Sequence, residues 1–354
     1  MRVLVLILML LATPALAQAV SVSEVLENAV EKAIRPGFTA LADETARLET
    51  ALSRLCAERS DETLAAAQRQ FAVVVSSHAR VEFLRLGPLV EENRAERMLF
   101  WPDRKGIALR QVQQVLAEMD ETATAEATLR EKSVALQGLG ALEFVLHGTG
   151  AEALVGTEGD FRCRYGAAIA AAVDTVAGEL AAAWLAEDGI ALQVTAPQAE
   201  SPTYRSEREA LEALTGAMSH GIEAIRDTRL LPFLGREGEN PKPRAAPYWR
   251  SGLTIASIRA GFEGIATLFE QSRIGEAAPD EHDWVRNGVV FEFANAERAA
   301  DAVTLPLEAA LADAGQRRAI GYLVILSQSL QSLLGESLAA ALGLSVGFSS
   351  LDGD

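Results

Sequence analysis

Long runs of helical periodicity dominate this sequence. Apolar residues recur about every 3.6 positions over most of the chain, and the strict alternation typical of half-buried strands is rare. Alanine and leucine are abundant, and only 12 of the 354 residues are proline. The pattern predicts an all-α protein, built as a tandem of two four-helix-bundle-like domains with long up-and-down helices.

Two breaks in the helical pattern divide the chain into three parts. Residues 1–17 combine an early positive charge, an apolar run and the small-x-small sequence Ala15-Leu16-Ala17, which is the arrangement of a secretory signal peptide. Residues 189–202 form a mixed connector with two prolines. We therefore expect a signal peptide at 1–17, an N-terminal helical bundle at 18–196 and a C-terminal helical bundle at 197–354.

The net charge of the chain excludes some classes of binding partner. A formal net charge of −17 repels nucleic acid and anionic membrane surfaces. Beyond the signal peptide, the best apolar window, residues 319–326, is soon interrupted by polar side chains. We expect a soluble periplasmic or secreted protein that has no nucleic-acid partner and no membrane span after signal cleavage near Ala17. Its expected partner is a small polar ligand or a metal ion.

The chain has two cysteines, Cys56 and Cys163. In an exported protein such a pair suggests one disulfide. A bridge that closes a loop of roughly 100 residues contributes about 4 to 5 kcal/mol in the chain-entropy model. The alternative is a pair of buried free thiols.

One acidic residue lies inside an apolar helical run. Between residues 136 and 150, Glu143 and His147 stand four positions apart, so they share one helix face. A carboxylate buried alone costs several kcal/mol, and Glu143 must therefore be paired, metal-bound or exposed. Gly138 and Gly140 precede it and would admit the close approach of another element. The alternative is an ordinary solvated glutamate.

The segment from Gly138 to Gly148 resembles the Gly-x-His-x-x-Glu signature of the imelysin-like family. These are exported helical proteins, once classed as metallopeptidases and linked to iron acquisition. Gly140 stands where the family has histidine. Four further blocks resemble the same family, at residues 82–88, 100–103, 247–252 and 343–354. The resemblance covers nearly the whole mature chain and implies an imelysin-like helical fold.

These blocks supply candidate ligand-binding residues. Glu82 and Arg85 are three apart in a predicted helix at 62–86 and can meet on one face. Trp101 offers apolar surface and one N–H donor beside Asp103. We expect a polar pocket between the two bundles, in which Arg85 and an arginine from the second half reach Glu143. The expected lining is Glu143, Glu82, Arg85, Trp101, Asp103, Arg250 and Ser251. The alternatives are a surface ion pair at Glu82, a core tryptophan at Trp101, and Ser251 as the cap of the next helix.

The chemistry of these residues leaves several functions open. Carboxylates and an imidazole suit iron or another divalent metal, with Glu143 and His147 as candidate ligands, although Gly140 supplies no side chain and no cofactor is certain. His147 is otherwise a helix-end histidine. None of the four histidines is a helix neighbour of another, which disfavours a helical zinc peptidase site. We expect a non-catalytic periplasmic binding protein linked to iron acquisition, with other iron-uptake proteins as partners. The alternatives are an imelysin-type metallopeptidase and a structural or partner-binding helical protein.

Overall fold

The computed structural model describes residues 20–103, 105–235 and 239–345. Helices dominate these three stretches, and no strand occurs within them. The predicted all-α class is confirmed. The expected signal peptide at 1–17 and most of the C-terminal block at 343–354 lie outside the described residues.

Sixteen α-helices occur in the described part of the chain. In the first half they are α1 Val22–Ala29, α2 Arg35–Glu58, α3 Asp61–Ala79, α4 Arg94–Met98, α5 Ile107–Glu118, α6 Glu126–Leu129, α7 Gly138–His147 and α8 Asp160–Leu185. In the second half they are α9 Ile190–Thr195, α10 Glu207–Ala224, α11 Leu231–Leu234, α12 Thr254–Ser272, α13 Asp283–Asp301, α14 Leu307–Ala312, α15 Ala314–Ser332 and α16 Ala339–Ala341.

Shorter helical turns join these elements. π-helical turns occur at Val30–Ile34, Ile225–Leu230 and Leu333–Leu338. 3₁₀ turns occur at Gly87–Val90, Glu121–Ala123, Val134–Leu136, Ala151–Val155, Thr157–Gly159, Pro243–Ala245, Ile274–Glu276 and Asp280–His282. The apolar pattern from Ala123 to Leu136 predicts one continuous helix. This prediction is wrong, because the segment consists of short turns around α6.

The first half is organised around four helices. α2 packs against both α3 and α8, and α7 packs against α8 and α3. α8 and α7 approach closely at Gly166, where a Cβ atom would lie 2.9 Å from Val145 Cγ1 and 3.4 Å from Leu52 Cδ1. The core therefore requires a residue without a side chain at this crossing.

The predicted disulfide is confirmed. Cys56 near the end of α2 is bonded to Cys163 in the first turn of α8, with the two Cα atoms 5.6 Å apart. The bridge ties together the two helices that form the largest contact in the first half.

The second half repeats the arrangement with α10, α12, α13 and α15. α13 packs against α12 and α15, and α10 packs against α15 and α12. The sequence predicts one long helix at about 284–312 with a kink at Pro306. Instead, α13 ends at Asp301 and α14 begins after Pro306, because proline removes a backbone donor and its ring clashes with the preceding helical turn.

The first helical segment connects the two halves. The sequence predicts that Pro36-Gly37 ends it, but the helix continues from α1 through a π turn into α2, with Pro36 in the first turn of α2. Proline is tolerated there because a wide π turn has already shifted the hydrogen-bond ladder. α1 packs against α10 and α12, whereas α2 packs against α3 and α8. The division into two domains at residue 196 stays a prediction. α1 precedes this residue in the sequence, but it packs against helices of the second half.

α8 is long and apolar enough to cross a membrane by length and composition, with a mean hydropathy of 1.4 over its most apolar window. The sequence predicts a long Ala-rich helix at 161–185, and α8 confirms it, although its apolar window is longer than the one expected at residues 319–326. In the structure 56% of that window is buried, and α8 packs against α2 and α7. These contacts are typical of the core helix of a helical bundle.

Candidate functional site

Glu143 is buried on α7, with only 4% of its surface exposed. Its Oε1 atom accepts three hydrogen bonds from the second half, from the backbone N–H groups of Arg250 and Ser251 at 3.0 Å each and from Ser251 Oγ at 2.9 Å. The Arg250 guanidinium lies 3.9 Å from Oε2. The carboxylate therefore joins the two halves, and its partners come from another element, as the sequence required.

The loop at residues 247–252 is shaped to hold this carboxylate. Tyr248 has φ of 56° and Gly252 has φ of 72°, and Leu253 N–H donates to Tyr248 O at 3.0 Å. In this turn two successive N–H groups converge on one oxygen, which is the geometry of a backbone anion nest. The interpretation of Ser251 as the cap of α12 is wrong: the N-cap position is Leu253, and the Ser251 hydroxyl faces Glu143 and Tyr248 O instead.

Burial and hydrogen bonding act on Glu143 in opposite directions. Burial raises the pKa of the Glu143 carboxyl, while the Ser251 hydrogen bonds and the Arg250 charge lower it, and the net direction is upward. Burial also lowers the pKa of Arg250, whose guanidinium lies over the rings of Trp249 at 4.4 Å and Phe144 at 5.4 Å.

A cavity of about 400 Å³ opens beside this carboxylate. Glu143, Gly140 and Phe144 line it from α7, and Arg250 and other residues of the loop close it from the second half. A Cβ atom at Gly140 would meet only Leu99 Cδ1, at 3.8 Å. The missing side chain at Gly140 therefore leaves open space next to Glu143.

A larger cavity of about 800 Å³ lies between α10 and the segment that follows α3. Glu82 lines it and pairs with Arg229 of the second half at 2.5 Å. His78 Nδ1 lies 3.7 Å from Glu82 Oε2, and burial lowers the pKa of this histidine. Leu99, Trp101, Pro102 and Thr228 line both cavities, which are therefore neighbours along the junction of the two halves.

Arg85 lies away from Glu143. Its guanidinium pairs with Glu96 at 3.2 Å, and both side chains are largely exposed. The predicted pair of Glu82 with Arg85, and the predicted reach of Arg85 to Glu143, are both wrong. The physical reason is that α3 ends at Ala79, so the helix face that these predictions assumed does not exist.

Trp101 and Asp103 have structural partners. Trp101 Nε1 donates to the Thr228 carbonyl of the second half at 2.9 Å. Asp103 accepts the N–H groups of Ile107 at 2.7 Å and Ala108 at 2.9 Å and so holds the start of α5. Trp101 lines both cavities and Asp103 lines the smaller one, although the Asp103 oxygens already have partners.

His147 packs away from the cavities. Its ring lies 5.7 Å from the Phe71 ring, burial lowers its pKa, and its Nε2 atom has no hydrogen-bond partner in the part of the chain described. Across residues 20–103, 105–235 and 239–345, no three His, Cys, Asp or Glu side chains form a group that could hold a metal ion. Glu143 and His147 thus have no third ligand among these residues.

The sequence from residue 34 to residue 334 matches the family model Imelysin (Peptidase M75). The chain belongs to the imelysin family. Two solved structures share this imelysin fold. An imelysin-like protein from Psychrobacter arcticum 273-4 is 17% identical with a TM-score of 0.76, and the match covers 93% of this chain and 98% of that one. An iron-regulated protein A precursor from Parabacteroides distasonis ATCC 8503 is 14% identical with a TM-score of 0.74, and the match covers 92% and 97%. No curated protein matches the sequence.

Helix α7 and the loop at 247–252, two of the segments whose sequences were compared with this family, meet at Glu143. Sequence reasoning missed Tyr248 and Arg229. Tyr248 is buried with no partner for its hydroxyl among the described residues, and burial raises its pKa. Gly252 signals a turn, but no residue type indicates that backbone amides rather than the Arg250 side chain are the main partners of Glu143.

Proposed function

We propose that this imelysin-family protein is an exported, non-catalytic binding protein whose ligand occupies the larger cavity between the two halves. The observation that carries the proposal is the cavity itself. Its volume of about 800 Å³ lies in the range of sites for small organic ligands.

The walls of the larger cavity indicate what kind of ligand fits. Small residues of α10 form one wall: Ala213, Gly216, Ala217, Gly221 and Ala224. Apolar side chains such as Phe83, Leu86 and Trp101 form the other. The two arginines on the lining are already paired, Arg229 with Glu82 and Arg85 with Glu96. Such a surface favours a small organic molecule with an apolar body and a few polar groups over a bare ion.

The state of Glu143 favours binding over peptide hydrolysis. A catalytic carboxylate needs an oxygen free to act on water or on a metal. Glu143 Oε1 is occupied by three donors, Oε2 lies 3.9 Å from the Arg250 guanidinium, and the described residues place no group of metal ligands around this carboxylate. The missing side chain at Gly140 removes one further candidate ligand at this position.

Four observations support export and a link to iron. The Cys56–Cys163 disulfide suits an oxidising compartment. Residues 1–17 have the composition of a signal peptide, and one structural neighbour is named as a precursor. That neighbour is also named as iron-regulated, which supports a role in iron acquisition in the periplasm, with iron-uptake proteins as partners and iron arriving as an organic chelate.

Native mass spectrometry of the protein purified from its own periplasm tests this proposal. A small organic species should remain bound to the wild-type protein and should be lost from Ala217→Phe, which fills the larger cavity. Ala182→Phe, on the exposed face of α8, is the matched control and should retain the species. Ferric citrate and free ferrous and ferric ions are added to the stripped protein in parallel.

Two outcomes would contradict the proposal. One is a bound species that Ala217→Phe retains. The other is tight 1:1 binding of a free iron ion that is lost in Glu143→Ala, which would favour a metal site instead.

A further inference from the structure

Two arginines line the smaller cavity, and the guanidinium of neither one donates a hydrogen bond to a carboxylate of the described residues. Arg244 makes no ion pair in the described part of the chain, and its guanidinium lies 5.5 Å from the centre of the Trp249 ring. Arg250 lies 4.4 Å from the same ring, and its nearest carboxylate oxygen, Glu143 Oε2, is 3.9 Å away. A guanidinium has five N–H donors. Both groups therefore offer donors that the described protein leaves unused.

Most carboxylate oxygens on the lining of this cavity already accept hydrogen bonds. Asp103 accepts two backbone N–H groups at the start of α5. Asp227 forms a two-point pair with Arg226 at 2.7 and 2.8 Å. Glu143 Oε1 accepts three hydrogen bonds from the loop at 247–252. Glu143 Oε2 is the one carboxylate oxygen of this lining without a hydrogen bond among the described residues, so the guanidinium donors of Arg244 and Arg250 outnumber the free carboxylate oxygens.

The remaining walls are mainly apolar. Phe144 and Trp249 contribute aromatic surface, and Leu109 and Pro232 contribute aliphatic surface. Gly140 adds no side chain, so the space between α7 and the loop stays open. The volume of about 400 Å³ is enough for one aromatic ring with a charged group attached.

We propose that the smaller cavity binds an oxyanion, either a carboxylate or a phosphate group, carried by a ligand with an aromatic body, and that Arg244 and Arg250 hold this group. A guanidinium binds such a group through two parallel N–H donors, and its planar shape also stacks on the ring of Trp249. The anion also relieves the repulsion between the two arginines, which acts with burial to lower the pKa of Arg250. This site is separate from the larger cavity and does not depend on what that cavity holds.

Isothermal titration calorimetry on the mature protein tests the site with four probes: phenyl phosphate, benzoate, inorganic phosphate and the uncharged benzyl alcohol. Phenyl phosphate and benzoate should bind, and benzyl alcohol and inorganic phosphate should bind at least tenfold more weakly than phenyl phosphate. Arg244→Gln should weaken phenyl phosphate binding about tenfold. Arg244 is the decisive position, because it is exposed and its loss leaves the hydrogen bonds of Glu143 in place.

Three further variants distinguish this site from its surroundings. Arg250→Gln should weaken phenyl phosphate by a similar factor, with the fold checked by circular dichroism. Arg85→Gln removes an arginine from the larger cavity and should leave phenyl phosphate binding unchanged, as should Ala217→Phe.

The assignment fails if benzyl alcohol binds as tightly as phenyl phosphate, if Arg244→Gln binds like the wild type, or if no probe binds at millimolar concentration. Equal binding of inorganic phosphate and phenyl phosphate would overturn the aromatic part of the assignment. Loss of binding in Ala217→Phe would place the anion in the larger cavity and overturn the site, while leaving the proposed function intact.

Discussion

Two carboxylates of the first half reach the second half, and they do so in different ways. Glu143 is buried, and one of its oxygens is held by two backbone amides and a hydroxyl of a single loop. Glu82 lies on a cavity wall, retains 23% of its side-chain exposure, and is held by the side chain of Arg229. The first carboxylate is fixed by the backbone of its partner, whereas the second depends on one flexible side chain.

The two carboxylates therefore have different roles: Glu143 holds the two halves together, and Glu82 is available to a ligand. Backbone N–H groups cannot rotate away as a side chain can, so the hydrogen bonds at Glu143 fix the position of the two halves relative to each other. The Glu82–Arg229 pair can exchange partners with a ligand, because both side chains border open space. The three predictions that follow test this contrast, beginning with the largest expected effect.

Glu143→Leu should lower the free energy of unfolding by about 3 to 5 kcal/mol, because it leaves the two partly buried N–H groups and the Ser251 hydroxyl without their acceptor and removes the carboxylate 3.9 Å from the partly buried Arg250 guanidinium. Glu143→Gln keeps an acceptor oxygen in place and should cost less than about 1 kcal/mol. Urea unfolding of both variants measures the difference. A leucine variant as stable as the wild type would show that the loop does not need the carboxylate.

Glu82→Ala should cost about 1 to 2 kcal/mol, because Arg229 keeps some access to water and can find another acceptor. Glu96→Ala breaks the exposed pair with Arg85 and serves as the surface control, with an expected cost below about 0.5 kcal/mol. The same urea experiment ranks both against Glu143→Leu. If Glu82→Ala were as costly as Glu143→Leu, the distinction between the two carboxylates would disappear.

The protein should lose stability as the pH falls from about 7 to about 5, and His78 beside Glu82 should contribute to the loss. Burial lowers the pKa of His78 in the fold below the ordinary histidine value of about 6.5, so the unfolded chain binds the proton first as the pH falls. Glu82 favours the proton on His78, whereas Arg229 opposes it. His78→Gln should therefore show a shallower loss over this range in urea unfolding at pH 7 and pH 5. An identical slope in both proteins would exclude a role for His78.

Much of the fold is readable from the sequence because it depends on local pattern. The apolar neighbours of Glu143 predict a helix that needs a partner, and the two cysteines of an exported chain predict their bond. The end of α3 is different. Ala79 carries no stop signal, and the chain leaves the helix where the Arg80 carbonyl packs against Gly264 of α12. The sequence around Ala79 does not reveal this close approach of a distant segment, and the roles expected for Arg85 assumed that the helix continued.

The site was predictable in part for the same reason. Glu143, Arg250 and Ser251 come together as expected, because an isolated carboxylate in an apolar helix demands donors. The identity of those donors depends on the left-handed turn at Tyr248, which a tyrosine does not predict. Arg229 gave no signal either, since an arginine in a polar stretch is more often solvated.

The π turn at Val30–Ile34 lies within one continuous helix. It sets the angle around the helix axis between the buried face of α1 and the buried face of α2. Leu26 before the turn is buried with α1 against the second half, and Leu41 after it is buried with α2 against the first. Each residue added to or removed from a helix rotates everything beyond it by about 100°. A single deletion in this segment would therefore turn one of the two apolar faces toward water. The number of residues in this turn is therefore as constrained as the identity of a side chain in the core.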